Sequence, residues 1–137
     1  EKGLEVIKVN IMEDDLELKD NIDYITLLEV VEFVPYPEKI IAQMKSLFPG
    51  ILIISFLNSG YYRFRIRSLL GRTVPSFAKG GELRYRRWSL TDFKYWLLQL
   101  GFHPYQHVAL GGIPILKNLF PGLFARHCIV FSRSEID

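Results

Sequence analysis

Residues 27–41 read LLEVVEFVPYPEKII, an apolar run that acquires two carboxylates, Glu29 and Glu32, just before Pro35 and Pro37. Acids three apart at the end of a buried-looking strand can hold a cation or accept hydrogen bonds, and they can equally stay solvated at a helix entrance. A second cluster follows at Tyr61, Tyr62, Arg63 and Arg65. Arginine forks match carboxylate and phosphate geometry. Arginines interleaved with aromatics, as in RFRIRSLLGR (63–72) and RYRRW (84–88), can also hold phosphates and stack on bases. The patch is short and no nucleic-acid-binding module accompanies it, so nucleic acid is not the expected partner. His103 and His107 read as strand-edge residues, and no metal is expected.

The elements that must position these groups come from a chain of 137 residues, enough for one domain. It is 49% hydrophobic and 14% aromatic, which supports a large core and excludes a disordered segment. No apolar stretch reaches the roughly 18 residues needed to span a bilayer, and no signal-peptide pattern opens the chain. A cytoplasmic protein with no membrane partner is therefore expected. Cys128 is the lone cysteine, which excludes an intrachain disulfide and a cysteine metal cluster. The net charge of +2 is unevenly spread: residues 1–40 hold eleven acids and four lysines, a balance of −7, whereas 61–88 hold eight bases and one acid, a balance of +7. Two oppositely charged partner surfaces and two plainly solvated faces both fit that segregation.

LEVIKVN (4–10) reads as a strand, EDDLELKDN (13–21) as an acidic connection and IDYITLL (22–28) as a second strand. Pro37 suits the first turn of a helix, and Ile40, Ile41, Met44, Leu47 and Phe48 supply its apolar face until Pro49-Gly50 stops it. ILIISF (51–56) is apolar on both faces, as in a parallel strand covered from both sides. In 61–70 the alternation favours a strand, whereas the propensities of Arg and Leu favour the helix adopted here. Residues 72–88 read as a loop. Ser89 with Asp92 resembles a capping box ahead of a helical stripe of Phe93, Trp96, Leu97 and Leu100. Strands at 104–110 and 127–133 flank the excursion GGIPILKNLFPGLFAR.

In order and spacing, DYITLLEVVEFVPYP, SFLNSGYYRFR, GRTVP and WSLTDFKYWLLQLGF resemble the later part of a class I S-adenosylmethionine-dependent methyltransferase, closest in flavour to the MetW-like group associated with methionine biosynthesis. The resemblance covers nearly the whole chain. It implies an α/β fold with a mainly parallel Rossmann-like sheet, whose antiparallel last strand inserts beside 51–56. It also implies S-adenosylmethionine as cofactor, with contacts at the carboxyl ends of the strands. On that reading Leu28, Glu29 and Glu32 lie beside the sulfonium and amino-acid portion, while Asn10 accepts from the adenine amino group and Ile11 flanks the ring. Asn10 could alternatively close a turn. Asn58, Tyr61, Tyr62, Arg63 and Arg65 would edge the acceptor pocket. The sequence departs from the family pattern at Phe33, where a His is frequent, and at Leu57, where a Pro is usual.

The family's first strands, their Gly-rich turn and the ribose-binding acid have no counterpart here, so 1–137 reads as a partial methyltransferase domain running from the third strand to the C-terminus. The implied function is methyl transfer to a small-molecule acceptor. The alternative is a catalytically inactive methyltransferase-like subunit that works by binding a partner. Without the central strands the sheet has a bare edge to cover, which a second copy of the chain or a complementing N-terminal segment would do. The chain alone is expected to bind the donor weakly or not at all.

Overall fold

The computed structural model describes residues 8–14, 22–47, 50–76 and 81–134. Its elements are β1 (Tyr24–Leu28), α1 (Pro37–Leu47), β2 (Ile51–Leu57), α2 (Tyr62–Leu69), α3 (Leu90–Gln99), β3 (Phe102–Leu110), the short α4 (Leu116–Leu119) and α5 (Pro121–Phe124), and β4 (His127–Ser134). The strands form one sheet in the order β1-β2-β4-β3. β1 pairs with β2 in parallel, and β4 runs antiparallel to both β2 and β3. Three strands therefore share a direction, with the reversed last strand inserted beside β2 as expected. Pro104 is tolerated in β3 because this is an edge strand, and the register shifts between Pro104 and Gln106.

The alternation of side chains across the sheet decides what is buried. Leu52, Ile54 and Phe56 of β2, Leu27 of β1 and Cys128 and Val130 of β4 belong to one core with Ile40, Ile41 and Met44 of α1 and Phe93 and Leu97 of α3. Phe56 stacks on Phe93 at 4.0 Å, and Trp88 meets Phe93 edge-on at 5.3 Å. Pro37 opens α1, with Glu38 in its first turn and Lys45 in its last, in keeping with the helix dipole. Ser89 caps α3 by accepting from the Asp92 amide at 3.2 Å and donating to the Asp92 carboxylate at 2.6 Å. The predicted Ser89 cap holds, although the Asp92 carboxylate accepts from the Ser89 hydroxyl rather than from its backbone amide.

Two expectations need correction. ILIISF was expected to be covered on both faces, but among the described residues the second face of the sheet is covered only at its carboxyl end, where Ser55 and Leu57 are buried. Ile51, Ile53, Ile129 and Phe131 are only half-buried there, and Tyr24, Leu28 and Val108 are exposed. The strand expected at 4–10 falls partly outside the described residues, and Lys8, Val9 and Asn10 carry no strand. No described strand runs along the outer edge of β1 to take up their hydrogen bonds, and unpaired extended chain is not stable alone. No helix among the described residues is long and apolar enough to cross a membrane.

The uneven burial of β2 gives a direct test by urea denaturation. Leu52→Ala is expected to cost about 2–5 kcal/mol, the usual range for a core truncation. Ile53→Ala, on the open face, should cost about 1 kcal/mol, since only part of its side chain leaves water. Equal losses would mean that the second face is covered in solution.

Candidate functional site at the carboxyl end of the sheet

β1 and β2 end together, with Leu28 in register with Ser55, and β4 begins at the same end, where Leu57 pairs with His127. Glu29 follows β1 in the left-handed region at φ 55. A non-glycine residue there costs roughly 1–2 kcal/mol, so the surroundings must hold it. They do so through Ser55, whose Oγ accepts the Glu29 amide at 2.9 Å. The Glu29 side chain is 56% exposed, and its Oε1 lies 3.4 Å from His127 Nδ1. Burial holds the His127 imidazole below its usual range, with Glu29 pulling it partly back and Arg126 and Arg84 lowering it further. At neutral pH the ring is therefore mostly uncharged, and it can meet the carboxylate only through a protonated Nδ1.

Glu32 is the buried member of the pair, at 1% exposure. Its backbone carbonyl accepts from the amides of Tyr85 at 2.8 Å and Arg86 at 3.4 Å, tying residues 84–86 over the site. Arg84 Nε stands 3.8 Å from its carboxylate, too far for a hydrogen bond, and both of these atoms are buried. Burial pushes the Glu32 carboxyl up to about 7, against the Leu57 backbone hydrogen bond and Arg84, which lower it, and with Glu29, which raises it. The Arg84 guanidinium lies over the Phe33 ring at 5.2 Å. Phe33 thus serves as a platform for the arginine.

Asn58 is fully buried. Its amide nitrogen lies within donating distance of the carbonyls of Pro121 (3.3 Å), Gly122 (3.0 Å) and Ala125 (2.8 Å), and its Oδ1 accepts from the Gly60 amide at 3.0 Å. Gly60 fits because a Cβ there would sit 2.8 Å from the Gly122 carbonyl oxygen. Tyr61 and Phe64 anchor α2 on Leu57. Arg65 donates to the Gly60 carbonyl at 2.8 Å, while Arg63 donates to the Tyr62 hydroxyl at 3.2 Å. A cavity of about 200 Å³ is lined by Tyr61, Arg63, Phe64, Arg67 and Arg126.

The predicted residues therefore separate. Leu28, Glu29 and Glu32 share the carboxyl end with Asn58, Tyr61, Tyr62, Arg63 and Arg65, but Asn58 and Arg65 are engaged in holding the backbone. Asn10 closes its own turn, its carbonyl accepting from Glu13 and Asp14 and its Oδ1 from the Met12 amide. Ile11 packs against the main core. Asn10 thus does close a turn. Sequence reasoning missed Ser55 and Arg126, and it singled out Arg67 and Arg84 only as members of the two arginine–aromatic runs. Ser55 had a signal, as the one polar residue in ILIISF; Arg84 and Arg126 are brought in only by tertiary pairing.

No family model matches the chain, and no curated protein matches it. Solved structures do. Over 94% of its length the chain is similar to the small RNA methyltransferase HEN1, at 26% identity and a TM-score of 0.64, covering 16% of that chain. A SAM-dependent methyltransferase from Thermotoga maritima, described as a possible histamine N-methyltransferase, aligns over 97% at 13% identity and a TM-score of 0.67, with 65% of that chain covered. Magnesium protoporphyrin IX methyltransferase from Synechocystis PCC 6803, solved with bound SAH, aligns over 94% at 15% identity and a TM-score of 0.58. The chain spans 50% of it, so it covers less than two thirds of each of the three. Its fold is one that it shares with these S-adenosylmethionine-dependent methyltransferases.

Two stability measurements check this geometry. Glu29→Gly should raise stability by about 1 kcal/mol by relieving the left-handed backbone, whereas Glu29→Ala should not. For Glu32 the folded pKa lies above the ordinary carboxylate value of 4.5. Its stabilising contribution is therefore complete below pH 4.5, declines as the unfolded chain ionises, and is lost by about pH 7. Glu32→Gln should remove that decline and leave the protein more stable at pH 8 by about 1–3 kcal/mol. A wild-type profile with no Glu32-dependent loss between these pH values would contradict the burial of an ionisable acid.

Proposed function

We propose that this chain is the carboxyl-terminal part of an S-adenosylmethionine-dependent methyltransferase domain of the MetW-like kind. Its acceptor is a small anionic molecule. The observation that carries this reading is Glu29: a strained residue pinned by Ser55, presenting a half-exposed carboxylate at the carboxyl end of β1. An accessible carboxylate beside a neutral imidazole fits a cationic ligand, and carboxyl ends are where open α/β sheets bind ligands.

The donor, when bound, supplies an electrophilic methyl group on a sulfonium. What remains for the chain is to bind, orient and exclude water. Glu29 faces the cationic portion, with Leu28 beside it and Glu32 behind. Asn10 and Ile11 complete the donor side if their turn meets the adenine. Arg63, with Tyr61, Tyr62 and the Arg67 and Arg126 that line the same cavity, receives the anionic group of the acceptor. Asn58 and Arg65 hold that pocket's backbone. The reading requires no protein nucleophile, and the Cys128 thiol is buried and pushed up to about 11.

The reading extends to a cytoplasmic protein that works with a second copy or with a complementing N-terminal segment, either of which would cover the outer edge of β1. A second reading, an inactive subunit that docks a partner, is favoured by the closed turn at Asn10 and by Phe33 lying under Arg84. Calorimetric titration of the full-length protein with S-adenosylmethionine and S-adenosylhomocysteine separates the two. Donor binding is expected, weakened by about 1–3 kcal/mol in Glu29→Ala. Arg63→Ala should keep donor affinity and lose turnover. Full-length protein that binds no donor is the inactive subunit, and unchanged affinity in Glu29→Ala removes that residue from the site.

A further inference from the structure

Helix α2 is turned inside out. Tyr61 at its cap and Phe64 hold it to Leu57, yet Tyr62, Ile66, Leu69 and Leu70 recur at i, i+4, i+7 and i+8, the spacing of an apolar stripe. Tyr62 packs at the edge of the Leu57–Tyr61–Phe64 cluster, and the rest of the stripe faces away from the core. Ile66 is 51% exposed, Leu69 87% and Leu70 73%. On a helical projection Arg65 borders one side of it and Arg63 and Arg67 the other, all three exposed.

A second exposed set lies at the same end of the molecule. β2 and β3 both run opposite to β4, so the segments leaving β2 and β3 emerge together where β4 begins. α4 and α5 occupy that end, and the Phe124 ring meets Tyr62 of α2 at 5.7 Å. This excursion exposes Ile115, Leu119 and Phe120. Residues 58–76 and 111–127 contain Arg63, Arg65, Arg67, Arg72, Lys117 and Arg126 and no acid. Exposed large apolar side chains in segments that carry bases and no acid form a surface complementary to one that is both apolar and anionic, with the Glu29 carboxylate beside His127 at its margin.

From this we infer that the outward face of α2 and the α4–α5 excursion seat peripherally on an anionic lipid bilayer. Ile66, Leu69 and Leu70 enter the acyl boundary, and the flanking arginines meet the headgroups. Nucleic acid would use the arginines but leaves Leu69 and Leu70 wet, and a second copy of the chain would bring the same arginines into mutual repulsion. The absence of a spanning helix is no obstacle, since a peripheral contact needs none. The inference does not depend on methyl transfer.

Cosedimentation of the protein with vesicles of phosphatidylcholine, and of phosphatidylcholine mixed with phosphatidylglycerol, tests it. Partitioning onto the anionic vesicles should be at least about tenfold stronger, since each basic residue near such a surface contributes on the order of 1 kcal/mol. It should weaken as salt rises. The double variant Leu69→Ser/Leu70→Ser should lose about tenfold or more, with unchanged circular dichroism because both positions are exposed. Arg67→Glu should lose binding as well. No preference for anionic vesicles, or full binding by the double serine variant, overturns the inference. So does vesicle-independent binding of single-stranded RNA that the double variant retains, or a wild-type dimer that the double variant converts to monomer without any vesicle binding.

Discussion

The side chain of Asn58 is the constraint on which the carboxyl end of the sheet depends. It leaves β2 fully buried, so its amide must find partners or forfeit stability. It finds them in three carbonyls of the α5 segment and in the Gly60 amide. Those contacts bring residues 121–125 against the end of β2 and fix the turn from which α2 departs. The Asn58 amide itself donates to the Arg126 carbonyl at 2.9 Å, so strand pairing and side chain act on the same return. The cavity between Tyr61, Arg63 and Arg126 is a consequence of this clamp, as is the outward stripe of α2.

Glu29 depends on a second, weaker restraint. Its left-handed backbone is held by Ser55 and by the pairing of β1 with β2. A strained residue that presents a carboxylate is a site where stability has been given up for position. Glu32 continues the pattern with a buried acid near 7, whose carbonyl holds residues 85–86 in place. One acid reaches solvent and the other is sealed beneath it.

The helices and strands were legible because their signals are local. Pro37, the stripe of Ile40, Ile41 and Met44, and the Ser89–Asp92 cap each fix an element without help from afar. The reversed, inserted β4 was legible only through the family resemblance, since periodicity carries no strand direction. ILIISF misled, because an apolar run reads the same whether or not a second layer covers it. Among candidate residues, Glu29 and Glu32 stood out as acids in an apolar stretch. Arg126 did not, and Arg84 did so only as part of RYRRW, because their neighbours are set by tertiary folding. Asn58 was legible as a special residue but not as a clamp, since its partners lie more than sixty positions away.

The central claim is that donor binding occurs at the carboxyl ends of β1 and β2. A nitrogen–proton NMR titration of the full-length protein with S-adenosylhomocysteine, taken to millimolar concentration, tests it most directly because it reports location even when binding is weak. The account predicts fast-exchange shifts that concentrate on the amides of Leu28 to Glu32, Ser55 to Asn58 and His127. Shifts clustered around His107, Lys117 and Asn118, or no shifts at all, would contradict it.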